Sequence, residues 1–123
     1  MIAVVGVGGT LGTAAREALS LALPAVGGLP VAILVINVVG AFALGVLLEA
    51  LVRSGPDSGG RRLLRLGAGT GFCGGFTTYS TLAAGTAGLL GAGTTGLAVG
   101  YAVGSVLLGT AAAWVGIAVG ARR

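Results

Sequence analysis

The chain has 123 residues, 55% hydrophobic and only 8% charged, with a mean hydropathy of +1.06. Soluble domains carry roughly a quarter charged residues, so no polar surface exists for a water-facing fold and the composition specifies an integral membrane protein. The net charge is +4 with no histidine; nucleic-acid binding would need a basic face on a soluble domain and is excluded.

The 26 glycines sit among Leu, Val and Ala rather than Ser, Gln and charge, a pattern of packed helices and not of disorder. The lone Cys73 excludes an intrachain disulfide and offers no metal-site spacing. No basic segment precedes the first apolar run, which reads as a retained span rather than a cleaved signal peptide. No nucleophile–base pair or cofactor motif points to an enzyme.

The chain parses into a single four-helix membrane domain over 1–123. The first span covers about 2–23 and ends at Pro24 and the pair Gly27-Gly28. Arg16 and Glu17 lie in its latter half. Arg16 either lines an aqueous vestibule or snorkels to the far interface; Glu17 reads as interfacial. The second span covers about 31–52. Asn37 stands seven residues into it among "AILVINVVGAF" and must find partners inside the bundle or along a water-filled path. Glu49 reads as interfacial. "RSGPDSGGRR", 53–62, is the only stretch with soluble-loop composition.

The third span covers about 63–90 and the fourth about 97–121, joined by the tight turn "GAGTTG", 91–96. Spans joined by such short turns should be antiparallel neighbours. No charge interrupts the sequence from Leu66 to Ala121, yet its middle holds "GFCGGFTTYSTL", 71–82. Gly74-Gly75 costs about 2 kcal/mol of helix propensity relative to alanines, and Thr77-Thr78 adds β-branched crowding. A helix break is the natural outcome. Non-helical backbone at membrane depth is tolerated only where it is buried in protein or lines an aqueous cavity. Freed carbonyls there can ligate a bare cation, and the following half-helix N-terminus can face an anion. The segment therefore reads as an ion site.

Glycines recur four apart at Gly8 and Gly12, at Gly67, Gly71 and Gly75, at Gly96, Gly100 and Gly104, and at Gly116 and Gly120. Such small-residue faces let helix backbones approach closely. Gly69-x-Gly71-x-x-Gly74 mimics a dinucleotide fingerprint but lacks the preceding strand and the downstream acidic residue. Trp114 reads as packing or an interface anchor. Arg53, Arg61, Arg62, Arg65, Arg122 and Arg123 all fall on one side of the four spans, and the opposite turns carry no basic residue. That bias predicts a multi-pass cell-membrane protein with both termini cytoplasmic.

"GFCGGFTTYSTL", together with "INVVGAFALG" (36–45), "GGTLGTAAR" (8–16) and "YAVGS" (101–105), resembles the CrcB/Fluc fluoride channel family over essentially the whole chain. The resemblance implies an antiparallel, inverted dimer of four-helix subunits, each with a broken third helix, that exports fluoride passively from the cytoplasm through two pores. It implies a structural sodium ion held by main-chain oxygens of Gly74 and Thr77. It implies pore-lining roles for Asn37, Tyr79, Ser80, Thr81, Leu82, Tyr101 and Ser105, and a vestibule role for Arg16. Tyr79 and Leu82 take the places of two pore phenylalanines, Ile33 that of a second-span threonine, and Gly109 that of a fourth-span serine.

Two alternatives stand beside that reading. One is a small four-helix proton-coupled exporter of cationic compounds, using Glu17 as its carboxylate. The other is a non-conducting assembly subunit. The charge bias also disfavours an inverted copy of this same chain, since charged residues at membrane depth cost several kcal/mol and loop arginines set orientation. The expected partner within the lipid is therefore a related second protein with reversed bias, giving a heterodimer with one functional pore.

Overall fold

Apolar runs of Leu, Val, Ile and Ala leave the backbone no hydrogen-bond partner but itself, and helices are the solution that satisfies every group locally. A computed structural model describes residues 1–122 and is all-helical; Arg123, one of the six arginines of the charge bias, lies outside the described residues. α1 is Ile2–Ala22 and α2 is Val31–Arg53. The third helix is split. Its first part, α3, follows the path 59–76: an α-helical start Gly59–Leu64, a π-helical stretch Arg65–Cys73 and one α-helical turn Gly74–Phe76. Its second part, α4, is Tyr79–Gly91, and α5 is Thr95–Gly120. α2 and α5 are unbroken helices long and apolar enough to cross a membrane.

The turns are built for tightness. Between α1 and α2, Gly27 and Gly28 have φ of 60° and 82°. They occupy the middle of a two-residue turn in which the Val26 and Leu29 N–H groups each donate to the other's carbonyl, at 3.1 and 3.0 Å. That mirror-image turn needs positive φ at both central positions, which glycine supplies without a Cβ clash. The turn after α4 passes through Gly93, φ 78°, with the Thr94 N–H returning to the Leu89 carbonyl at 3.0 Å.

Packing divides the helices into two close pairs, α1 against α3 and α2 against α5. Both pairs rest on glycine. A Cβ on Gly8 would overlap the Gly67 carbonyl, and one on Gly12 the Phe72 carbonyl. From the other side, Gly71 lies under Val5 and Gly8, and Gly75 under Gly9. In the second pair Gly45 meets Ala113, Gly116 meets Phe42 and Gly120 meets Val46, in each case backbone to glycine. This is the contact geometry that small residues at four-residue spacing permit in lipid.

Two expectations from spacing come out differently. The stripe Gly96, Gly100 and Gly104 has no atom of the chain near it and faces outward from α5. The turn-linked helices α1 and α2 touch far less than either touches its main partner, because the glycine face of α1 is taken by α3. The pairs are joined instead by an apolar cluster of Ala32, Ile33, Ile36 and Phe76, with Ala15, Leu23, Phe72 and Leu82 around it. A second cluster of Leu89, Ala98 and Tyr101 seats α4 on α5.

At the end where α2 meets α3, Arg65 makes two hydrogen bonds to Asp57, Nε to Oδ1 at 3.1 Å and the terminal nitrogen to Oδ2 at 2.8 Å. This pairing holds the Asp57 carboxyl below the usual carboxylate range. Its stabilising contribution is complete above the ordinary carboxylate pKa and disappears as pH falls through the lowered value. Arg53 pairs with Glu49 one turn back at 2.7 Å.

The glycine contacts give a direct test. Gly12→Ala should destabilise the subunit by about 1–3 kcal/mol, the cost of overpacking against backbone that cannot retreat. Gly6→Ala, which adds a methyl where no atom of the chain lies within reach, should be neutral or stabilising by up to about 1 kcal/mol. Thermal unfolding in detergent reads both; equal effects at the two positions would refute the packing account.

Candidate functional site: a helix break and the clefts beside it

The break is at Thr77–Thr78. The helix carries through Gly74 and Gly75, and then Thr77 (φ −80°, ψ 156°) and Thr78 (φ −150°, ψ 125°) are extended. Thr78 is the N-cap of α4: its hydroxyl accepts the Thr81 N–H at 3.2 Å. It also lies 3.1 Å from the Thr81 hydroxyl and 3.2 Å from that of Ser80. The Thr77 hydroxyl turns back to the Cys73 carbonyl at 2.9 Å. A cap with a side-chain oxygen satisfies one of the donors orphaned at the start of a helix.

Asn37 meets this break from α2. Its Nδ2 donates to the Thr78 carbonyl at 3.0 Å, and its Oδ1 accepts the Thr78 N–H at 2.8 Å. In a continuous α-helix the Thr78 N–H would bond the Gly74 carbonyl and the Thr81 N–H the Thr77 carbonyl. Both donors are engaged elsewhere, so the Gly74 and Thr77 carbonyls are released from the helical ladder. Of the other carbonyls at the break, that of Gly75 receives the Thr13 hydroxyl at 3.4 Å. Gly74 is exposed and Thr77 half-buried. A hard cation takes oxygen ligands of this kind. Among the described residues no group of three His, Cys, Asp or Glu side chains could hold a metal.

Two clefts flank the start of α4. One, of about 370 Å³, is lined by Arg16, Glu17, Ser20, Ile33 and Thr81 among others. The other, of about 620 Å³, is lined by Asn37, Thr77, Thr78, Tyr79, Leu82, Ser105 and, farther along α5, Gly109, Thr110 and Trp114. Arg16 is half-buried with no acidic partner among the described residues, and Glu17 beside it is exposed. Tyr79 is 83% exposed although it lines the larger cleft. Ser80 is exposed and reaches the site through its hydrogen bond to Thr78.

Tyr101 and Ser105, one turn apart on α5, are buried at 4% and 5% exposure, and neither hydroxyl has a hydrogen-bond partner among the described residues. Ser105 opens on the larger cleft; Tyr101 is set apart from it, in the cluster with Leu89 and Ala98 beside Gly85 and Pro30. Buried hydroxyls are nearly always paired, so two orphans on one helix face mark places where a hydrogen-bond acceptor is wanted. The residue that sequence reasoning passed over is Thr78. Its signal was present in a hydroxyl three residues ahead of Thr81 at the start of an apolar helical run, the pattern of an N-cap.

A family model described as "CrcB-like protein, Camphor Resistance (CrcB)" matches residues 3–117. The "Fluoride-specific ion channel FluC 2" of Leifsonia xyli is 55% identical over 115 residues, covering 94% of this chain and 79% of that protein. The "Fluoride-specific ion channel FluC 1" of Cutibacterium acnes is 47% identical over 121 residues, covering 96% and 83%. A "Fluoride-specific ion channel FluC" of Deinococcus radiodurans is 45% identical over 120 residues, covering 94% and 90%.

The cap predicts its own mutational signature. Thr78→Ala should lose about 1 kcal/mol of stability, and Thr78→Ser should keep most of it. Denaturation monitored by helical circular dichroism checks this; an Ala variant as stable as the Ser variant would show that the hydroxyl does not cap α4.

Proposed function

The chain belongs to the CrcB-like family, and on that premise we propose that it is the subunit of a fluoride-specific channel of the membrane, releasing fluoride passively from the cytoplasm. The observation that carries this to the site is the unpartnered buried hydroxyl of Ser105 on the larger cleft, with a second such hydroxyl, Tyr101, one turn away on α5. Fluoride is a small, strongly hydrated anion that accepts hydrogen bonds and cannot donate them, so donors without internal partners suit it. Arg16 supplies attraction at the smaller cleft, with Thr81 beside it. In the larger cleft the Ser105 hydroxyl and the second Nδ2 hydrogen of Asn37 remain to donate, and the ring edge of Tyr79 offers its positive rim. No energy-coupling residue is required: fluoride enters as the weak acid, ionises in a more alkaline cytoplasm and is trapped there, and a passive pore returns it down its gradient.

The proposal extends to assembly. A cleft holding Asn37, Thr78 and Ser105 that is open at the side of a membrane protein presents polar groups to lipid unless another subunit covers it. This supports a dimer, which the family resemblance makes antiparallel, and the arginine bias supports a multi-pass subunit with both termini cytoplasmic. The released Gly74 and Thr77 carbonyls fit a structural sodium ion; bound there, it would offset the negative ends of those carbonyl dipoles. The arginine bias supports a related second protein as the inverted partner, and the residues at Ile33, Leu82 and Gly109 fit a dimer with one functional pore. Ile33 is buried in the apolar cluster, and Leu82 packs against both clusters, so both serve packing here. No observation favours the proton-coupled exporter.

Proteoliposomes containing the subunit, with its partner where required, should show fluoride efflux far exceeding chloride efflux and indifferent to a proton gradient. Equal flux of the two anions, or a strict proton requirement, would refute the channel reading. Expressed alone with a C-terminal topology reporter, the chain should give signal from the cytoplasmic side only. Reporter signal from both sides, or full conductance without a second subunit, would refute the heterodimer.

A further inference from the structure

A helix interior can be opened in two ways: by removing the propensity to form it, or by giving its donors a better partner. The glycines of α3 supply the first and do not suffice, since Gly74 and Gly75 remain helical. The second is visible at Asn37. Its carboxamide faces a single residue, Thr78, and takes both of that residue's backbone groups, the N–H at 2.8 Å and the carbonyl at 3.0 Å. Only one orientation of the amide satisfies both bonds, so the assignment of oxygen and nitrogen follows from the partners. The arrangement reproduces the two-point pairing of neighbouring strands, which is why Thr78 is extended.

We infer that Asn37 is a positioning residue: its carboxamide takes the Thr78 N–H in place of that donor's helical acceptor, holds the chain open at Thr77–Thr78 and keeps the Gly74 carbonyl out of the helical ladder. The reason is competition for one donor. Thr78 N–H can bond Gly74 O or Asn37 Oδ1, and only the second leaves Gly74 O free. Three of the amide's four hydrogen-bonding capacities then remain distinguishable: Oδ1 and one Nδ2 hydrogen are committed to the break, and one Nδ2 hydrogen is left for the larger cleft. The inference depends on the proposed sodium site only for what the released carbonyl goes on to do.

The test follows the Gly74 carbonyl itself, by its carbonyl-carbon chemical shift in bilayers with Gly74 and Thr78 labelled, and separately the sodium dependence of thermal unfolding. The wild type should show Gly74 at the free-carbonyl position. Asn37→Leu, of similar size and without either polar atom, should move it to the hydrogen-bonded position and raise the sodium concentration at the unfolding midpoint shift by about tenfold. Asn37→Asp, which keeps the acceptor for Thr78 N–H, should leave Gly74 free even if the Leu variant does not fold. A wild-type Gly74 already in the hydrogen-bonded position, an unchanged position in the Leu variant, or closure in the Asp variant would overturn the inference. Closure in the Leu variant with no sodium dependence in any of the proteins would support the clamp and remove the sodium site. A residue that merely filled space would lower stability in both variants without moving Gly74.

Discussion

Every backbone N–H and carbonyl at membrane depth must find its partner inside the protein, and the two hydrogen bonds between Asn37 and Thr78 are where this chain meets that constraint at its hardest point. An unpaired buried backbone group costs about 1–3 kcal/mol. An undefended break would therefore close into ordinary helix or not persist. With Asn37 taking both groups of Thr78, the Thr78 hydroxyl capping α4 and Thr13 reaching the Gly75 carbonyl, the break is satisfied where it must be. It is left open at Gly74, Phe76 and Thr77. Which carbonyls leave the helical ladder is thus decided by which donors are diverted, without a charged side chain.

The glycine contacts make that diversion possible. Asn37 can reach Thr78 only if α2 and the third helix come close, and Gly40, one turn beyond Asn37, has the Thr77 methyl and the Phe76 ring directly over it. On the opposite side α1 presses its backbone onto α3 through Gly8, Gly12, Gly71 and Gly75. The π-helical stretch Arg65–Cys73 lies in this contact. Helices of this kind are rare and concentrate at functional positions, and here one α-helical turn, Gly74–Phe76, separates the wide turns from the break. Packing and site are one construction: the glycines bring backbones together, and the polar side chains between them settle which hydrogen bonds form.

Much of this was legible in the sequence, and the limits have physical causes. Helical class, the four apolar segments and a disrupted third helix follow from hydropathy and from "GFCGGFTTYSTL", because each is a local property of composition. The place of the break does not. Helix propensity assigns the cost to Gly74-Gly75, while the structure opens at Thr77–Thr78, because a partner on another helix outweighs local propensity. The outward-facing stripe Gly96, Gly100 and Gly104 shows the same limit from the other side: four-residue spacing defines a face but cannot say whether a helix of the same chain meets it. Asn37 was recognisable as needing a partner, and which partner was not, since the choice lies 41 positions away.

The orphaned hydroxyls of Tyr101 and Ser105 complete the logic by contrast with Thr78. Thr78 has every polar group engaged, and it is a fixed element of the scaffold. Tyr101 and Ser105 are as deeply buried and engage nothing. On the proposed channel reading, a permanent internal partner would compete with a passing anion for the same hydrogen, as Asn37 competes with Gly74 for the Thr78 N–H. Donors meant for a transient ligand must lack a resident one, whereas donors meant to hold the fold must have one. The contrast separates a hydroxyl that holds the fold in place from two whose hydrogens no other described residue takes.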